Sequence, residues 1–128
     1  MSKTKIKRIQ ARKLWDTSGQ PAIEIDVVLR YGAQGRIVAR LPAALQASHG
    51  DIDAGIAYVN DTVNRQMKGK SARDQAEIDQ HLMAVVASEG CHPMISHLLN
   101  ALSSACLWAM ADTEKLPLWQ YTGTFLGQ

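Results

Sequence analysis

The apolar positions of this chain change period at Pro42. Before it they alternate. Ile23, Ile25 and Val27 are interleaved with Glu24, Asp26 and Val28, the period-two pattern of a strand with one buried face. Ile6, Ile9, Ala11 and Leu14 sit among basic residues, which predicts an earlier, half-exposed strand with an irregularity between Ile6 and Ile9. Residues 16–21, rich in Asp, Ser, Gly and Pro, make a turn by composition. A third strand over 36–41 stops at Pro42, with residues 32–35 as the hairpin loop before it. Two short connections predict an antiparallel meander.

After Pro42 the period is helical. Residues 43–50 read as a loop ending in Ser48, His49 and Gly50. Ile52, Ile56, Val59, Val63 and Met67 then recur at helical spacing and close near Gly69. Ser71 followed by Asp74 resembles a capping box, and the helix it opens carries Ile78, Leu82, Val85 and Val86 on one face before Gly90. A third helix is predicted over 94–111, with Pro93 at its first turn and no formal charge unless His97 is protonated. Such a helix is mostly buried, or buries one face in a partner. Residues 116–121 suggest a short final turn. The expected class is α+β, one domain over 1–128: a strand meander (1–42), a loop (43–50) and a helical part (51–128).

Composition narrows the function classes. A chain of 128 residues is one domain, and 46% apolar with 20% charged residues is an ordinary globular mixture. It is too short for a (β/α)₈ barrel, which takes about 250 residues. No uninterrupted run of 18 apolar residues is present, so no membrane span is expected. No apolar stretch follows the first five residues, so no signal peptide is expected either. Cys91 and Cys106 are too few for a disulfide scaffold, and the expected setting is the cytoplasm.

Net charge is +2, but Lys3, Lys5, Lys7, Arg8, Arg12 and Lys13 gather at the N-terminus. They could contact phosphates of a nucleic acid. Their alternation with apolar residues instead matches a solvated strand face, and that reading outweighs the first. Cys91, His92 and His97 have soft-ligand chemistry, but their spacing matches no zinc pattern. Asp74, Glu77 and Asp79 fall in the first turns of a helix, where acidic side chains favour the macrodipole. Cys106 reads as a small core residue.

The order of motifs resembles enolase. Ala11-Arg12, the turn Asp16-Thr17-Ser18-Gly19-Gln20-Pro21 and the alternating strand behind it are similar to an enolase opening of Ala-Arg, Asp-Ser-Arg-Gly-Asn-Pro and strand. Asp74-Gln75-Ala76-Glu77-Ile78-Asp79 resembles the family's Asp-Gln-x-x-Ile-Asp segment. Asn100 to Ala109 resembles the small-residue helix after it, and Leu116-Pro117-Leu118-Trp119-Gln120-Tyr121 its Leu-Pro-Leu-Tyr-x-Tyr ending.

The resemblance implies the N-terminal domain of enolase, which caps a barrel holding the catalytic lysine and the magnesium-binding carboxylates. No cofactor is expected in this chain; magnesium is implied only for a complete enolase. Enolases follow the third strand with a Ser-Gly-Ala-Ser-Thr-Gly lid loop and a His-Glu pair. Here residues 41–50 lack that signature. Ser48 and His49 are the side chains there with lid-type chemistry, and a plain polar loop outweighs a catalytic role for them. The turn arginine that helps join enolase subunits is Ser18 here.

The expected function is therefore a capping domain that is catalytically inactive alone. It is either the N-terminal part of an enolase-family lyase, acting on 2-phosphoglycerate to give phosphoenolpyruvate, or a standalone homologue that has lost catalysis. The alternative is a small binding or regulatory protein acting through homo- or hetero-association, with nucleic-acid binding ranked below it. Expected partners are a C-terminal barrel, an enolase-like protein or a second copy. An independent enzyme with a new site ranks lowest, because no catalytic constellation converges.

Overall fold

A computed structural model describes residues 2–41, 49–88 and 93–115. Three strands, β1 (Ile6–Trp15), β2 (Pro21–Leu29) and β3 (Gln34–Arg40), form an antiparallel sheet in the order β1-β2-β3. The helices follow: α1 (His49–Tyr58), a π-helical turn (Val59–Val63), α2 (Asn64–Met67), α3 (Gln75–Ser88) and α4 (Pro93–Glu114). This is the expected α+β class.

β1 has the expected irregularity, a register shift between Ile6 and Arg8. The inner face of β2 carries Ile23, Ile25 and Val27, all buried against the helices. Each such side chain, fully buried, contributes roughly 1.5–3 kcal/mol. Ile52, Val59, Val63 and Met67 meet that face from α1 to α2, and Leu98, Leu102, Cys106 and Met110 meet it from α4. α4 is long and apolar enough to cross a membrane by length and composition, which a search for uninterrupted apolar runs passes over. Half of its apolar window is buried inside the protein. Packing on β2 and β3 accounts for that character.

Three local expectations are corrected. Residues 34 and 35 belong to β3, not to a loop; the reversal is made by a 3-10 turn, Arg30–Gly32, in which Tyr31 adopts φ 68°. Gly35 is a strand glycine because α4 lies against it. A Cβ there would run into the Ala105 carbonyl oxygen and the Ala109 backbone nitrogen, and would come within 2.8 Å of Trp108 Cβ. Second, Asp74 caps α3 itself: its Oδ1 accepts the Glu77 N–H at 3.1 Å. Ser71 is instead bridged to Lys5, and its hydroxyl meets that of Thr4 at 2.8 Å. Third, helical backbone begins at His49, inside the expected loop. The expected final turn at 116–121 lies outside the described residues.

The two edges of the sheet are closed differently. Along β1, Asn64 Oδ1 accepts the Ile9 N–H at 2.7 Å. Asn60 Oδ1 accepts the Ala11 N–H at 2.6 Å, and Asn60 Nδ2 donates to the Ala11 carbonyl at 3.0 Å. Beyond the bulge, backbone takes over: Ile6 N–H donates to the Lys70 carbonyl at 2.8 Å and Gly69 N–H to the Ile6 carbonyl at 2.9 Å. Along β3, Asp112 Oδ2 accepts the Gln34 N–H at 2.9 Å, and His97 Nε2 lies 2.9 Å from the Arg40 carbonyl oxygen. Since that oxygen can only accept, His97 donates from Nε2.

Candidate functional site

The resemblance directs attention to the corner where β3 ends and α1 begins. Ser48 lies outside the described residues. Of His49 only the backbone is described, as the first residue of α1. Leu41 is buried and Arg40 is tied to His97 of α4. Lys13, from the far end of β1, reaches Asp53 in the first turns of α1 at 2.9 Å and stacks over Trp15, 5.8 Å from the ring centroid. Three elements thus converge on the two ends of the connection.

The turn beside this corner is self-contained. Asp16 Oδ1 accepts the Ser18 hydroxyl at 2.7 Å and the backbone N–H groups of Ser18 and Gln20 at 2.9 Å each. The Ser18 hydroxyl first, then the Gln20 N–H, hold its carboxyl below the ordinary value. Ser18 closes the turn rather than reaching out of it.

The outward face of the sheet carries a charged array that sequence reasoning missed. Alternation places Arg12, Glu24, Asp26, Arg36 and Val38 on that face. Glu24 is only 7% exposed there, because Arg12 and Arg36 lie over it from the flanking strands. Arg12 Nε donates to Glu24 Oε1 at 2.5 Å, and Arg36 Nε to Asp26 Oδ1 at 2.8 Å. The hydrogen bond to Asp26 chiefly raises the pKa of Arg36. The signal was present in the register: two acidic residues at i and i+2 on the central strand, with arginines opposite on both neighbours. Two of the N-terminal basic residues, Arg12 and Lys13, are thus internally paired, while Lys3, Lys7 and Arg8 are exposed.

The other candidates do not converge. Cys91 and His92 lie outside the described residues, and His97 is committed to Arg40. Cys106 is buried, and burial first, then the Asp79 charge, pushes its thiol pKa up to about 12. Such a thiol is neither nucleophile nor ligand at neutral pH. Glu77 pairs with Lys70 at 3.7 Å. Asp79 joins α3 to α4: its Oδ1 accepts Gln75 Nε2 at 2.9 Å and the Ser103 hydroxyl at 2.6 Å. Among the described residues no three His, Cys, Asp or Glu side chains come together to hold a metal ion.

A family model described as enolase, N-terminal domain, matches residues 6–122. Enolase from Streptococcus thermophilus is 30% identical over an alignment that covers 92% of this chain and 31% of that relative. The chain thus spans about a third of the length of that relative.

Proposed function

The chain belongs to the enolase N-terminal domain family, and from that premise we propose that it is a capping domain with no turnover of its own. In this reading it covers the mouth of an enolase-type barrel that interconverts 2-phosphoglycerate and phosphoenolpyruvate. The observation that supports it is the match to the enolase N-terminal domain over residues 6–122, on a chain that spans 31% of the length of a full enolase. The three-stranded meander and the helices packed behind it are what the described residues supply of that domain. Magnesium, which the family implies, belongs in this reading to the barrel.

The experiment has two arms. The purified 128-residue chain, given 2-phosphoglycerate and magnesium, is expected to yield no phosphoenolpyruvate; turnover would overturn the proposal. The native protein is then captured from its source and its intact mass measured. A product several times 14.0 kDa, or a barrel protein held in stoichiometric complex, supports the capping reading. A free 14.0 kDa product without a barrel favours a second reading, a binding module acting through association. That reading rests on Val38, 51% exposed on the outward face of the sheet beside the charged array.

A further inference from the structure

Away from the sheet, α3 and α4 part to form a cleft of about 500 Å³. That lies within the range of small-molecule sites, roughly 300–1,000 Å³. Its two walls differ. On α3, Leu82, Met83 and Val86 present an apolar surface above Asp79. On α4, Ser96, Asn100 and Ser103 recur at i, i+4 and i+7, so three polar side chains share one face.

The polar end of the cleft is short of donors. Both donations that reach Asp79, from Gln75 and from Ser103, go to Oδ1. Oδ2 accepts nothing from the described residues, and none of their cationic groups pairs with Asp79. Gln75 Oε1 is buried and also without a partner among them. The orientation of that amide is forced, because its NH₂ faces a carboxylate and an Ser103 oxygen at 2.8 Å. Asp79, a lining residue, thus keeps one carboxylate oxygen with no donor among the described residues, and the buried Oε1 of its neighbour Gln75 has none either. A cationic donor entering the cleft would pair with that oxygen of Asp79.

We propose that this cleft is a binding site for a small organic cation, an alkyl ammonium or guanidinium whose head pairs with Asp79 and whose hydrocarbon body lies on Leu82, Met83 and Val86. Nothing in the capping reading requires such a site. Asn100 and Ser103 lie within the same lining and supply further acceptors for the head group.

The test is a titration of the full chain with hexylammonium, followed by amide NMR shifts, with neutral 1-hexanol as the control. The expected result is saturable shifts confined to α3 and α4, with hexylammonium at least about tenfold tighter than hexanol, the advantage expected of a charged head on a partly buried carboxylate. Asp79→Asn keeps an oxygen for Gln75 and Ser103 and is expected to erase that advantage. Met83 is 72% exposed, so Met83→Lys does not threaten the core. Four residues beyond Asp79, the new lysine supplies the missing cation internally and is expected to abolish hexylammonium binding. Equal binding of the two probes, shifts scattered over the surface, or unchanged affinity in Met83→Lys would each overturn the proposal. Met83→Lys decides the matter alone if Asp79→Asn does not fold.

Discussion

The two edge strands face the same hazard, a row of unpaired backbone groups, and are protected by opposite means. β3 is protected by proximity. α4 lies so close that position 35 has no room for a side chain, and Asp112 and His97 tie down the two ends. β1 is protected by chemistry. Two asparagines, one in the π-helical turn and one just after it, lend their amides to the strand as if they were backbone. Steric closure tolerates no added atom, while amide closure tolerates no lost one. The two edges should therefore fail under different substitutions.

The largest effect is expected at Gly35→Val. Its branched side chain would collide with the backbone of α4 rather than with a flexible side-chain tip. A loss of about 3 kcal/mol or more, up to failure to fold, should appear in urea denaturation. Wild-type stability in that variant would mean that α4 does not sit on the strand. Next comes Asn60→Ala, which strips both backbone groups of Ala11 and should cost about 2 kcal/mol. Asn64→Ala removes a single acceptor and should cost about 1 kcal/mol. Equal losses at the two asparagines would break the distinction between one and two satisfied groups.

A gentler probe of the β3 side is the thiol on α4. In a Cys91→Ser background, Cys106 should not react with a disulfide reagent at pH 8 while the protein is folded, and should react fully in denaturant. Rapid native labelling would show α4 leaving the sheet. The smallest effect is expected at the turn between β1 and β2. Asp16 has a lowered pKa in the folded chain, so its stabilisation is present above the ordinary value of 3.8 and is lost as pH falls through the lower folded value. The stability difference between wild type and Asp16→Asn should be flat above about pH 5 and close in acid. A difference that widens in acid would reverse the sign assigned to the Ser18 and Gln20 contacts.

Much of this was legible in the chain. The period change at Pro42, the alternation in β2 and the bulge after Ile6 all survive, because burial of one face leaves a direct imprint on residue order. Gly35 was misread for a physical reason: a glycine that makes room for a helix distant in sequence looks, locally, like a glycine that makes a turn. The π-helical turn escaped notice because Val59 and Val63 fit helical spacing either way. Asn60 and Asn64 were invisible to any search by apolar period. Glu24 read as a solvent-facing residue, since alternation reports a face and not the arginines that roof it. Of the lid candidates, Ser48 lies outside the described residues and His49 is placed only by its backbone.

The asparagine closure of β1 has a consequence for lengths. A helix and a strand laid side by side are two rulers with different divisions. Four α-helical residues advance about 6.0 Å, and two strand residues about 6.6–6.8 Å. Asn60, in the π-helical turn, and Asn64, just after it, reach Ala11 and Ile9 with their side chains, but each further α-helical turn would add more than half an ångström of mismatch. One helical turn is about as far as such a vernier can run. The next strand position to be closed, Ile6, is served instead by true backbone from Lys70 and Gly69, and the slip in β1 falls in the interval between the two rulers.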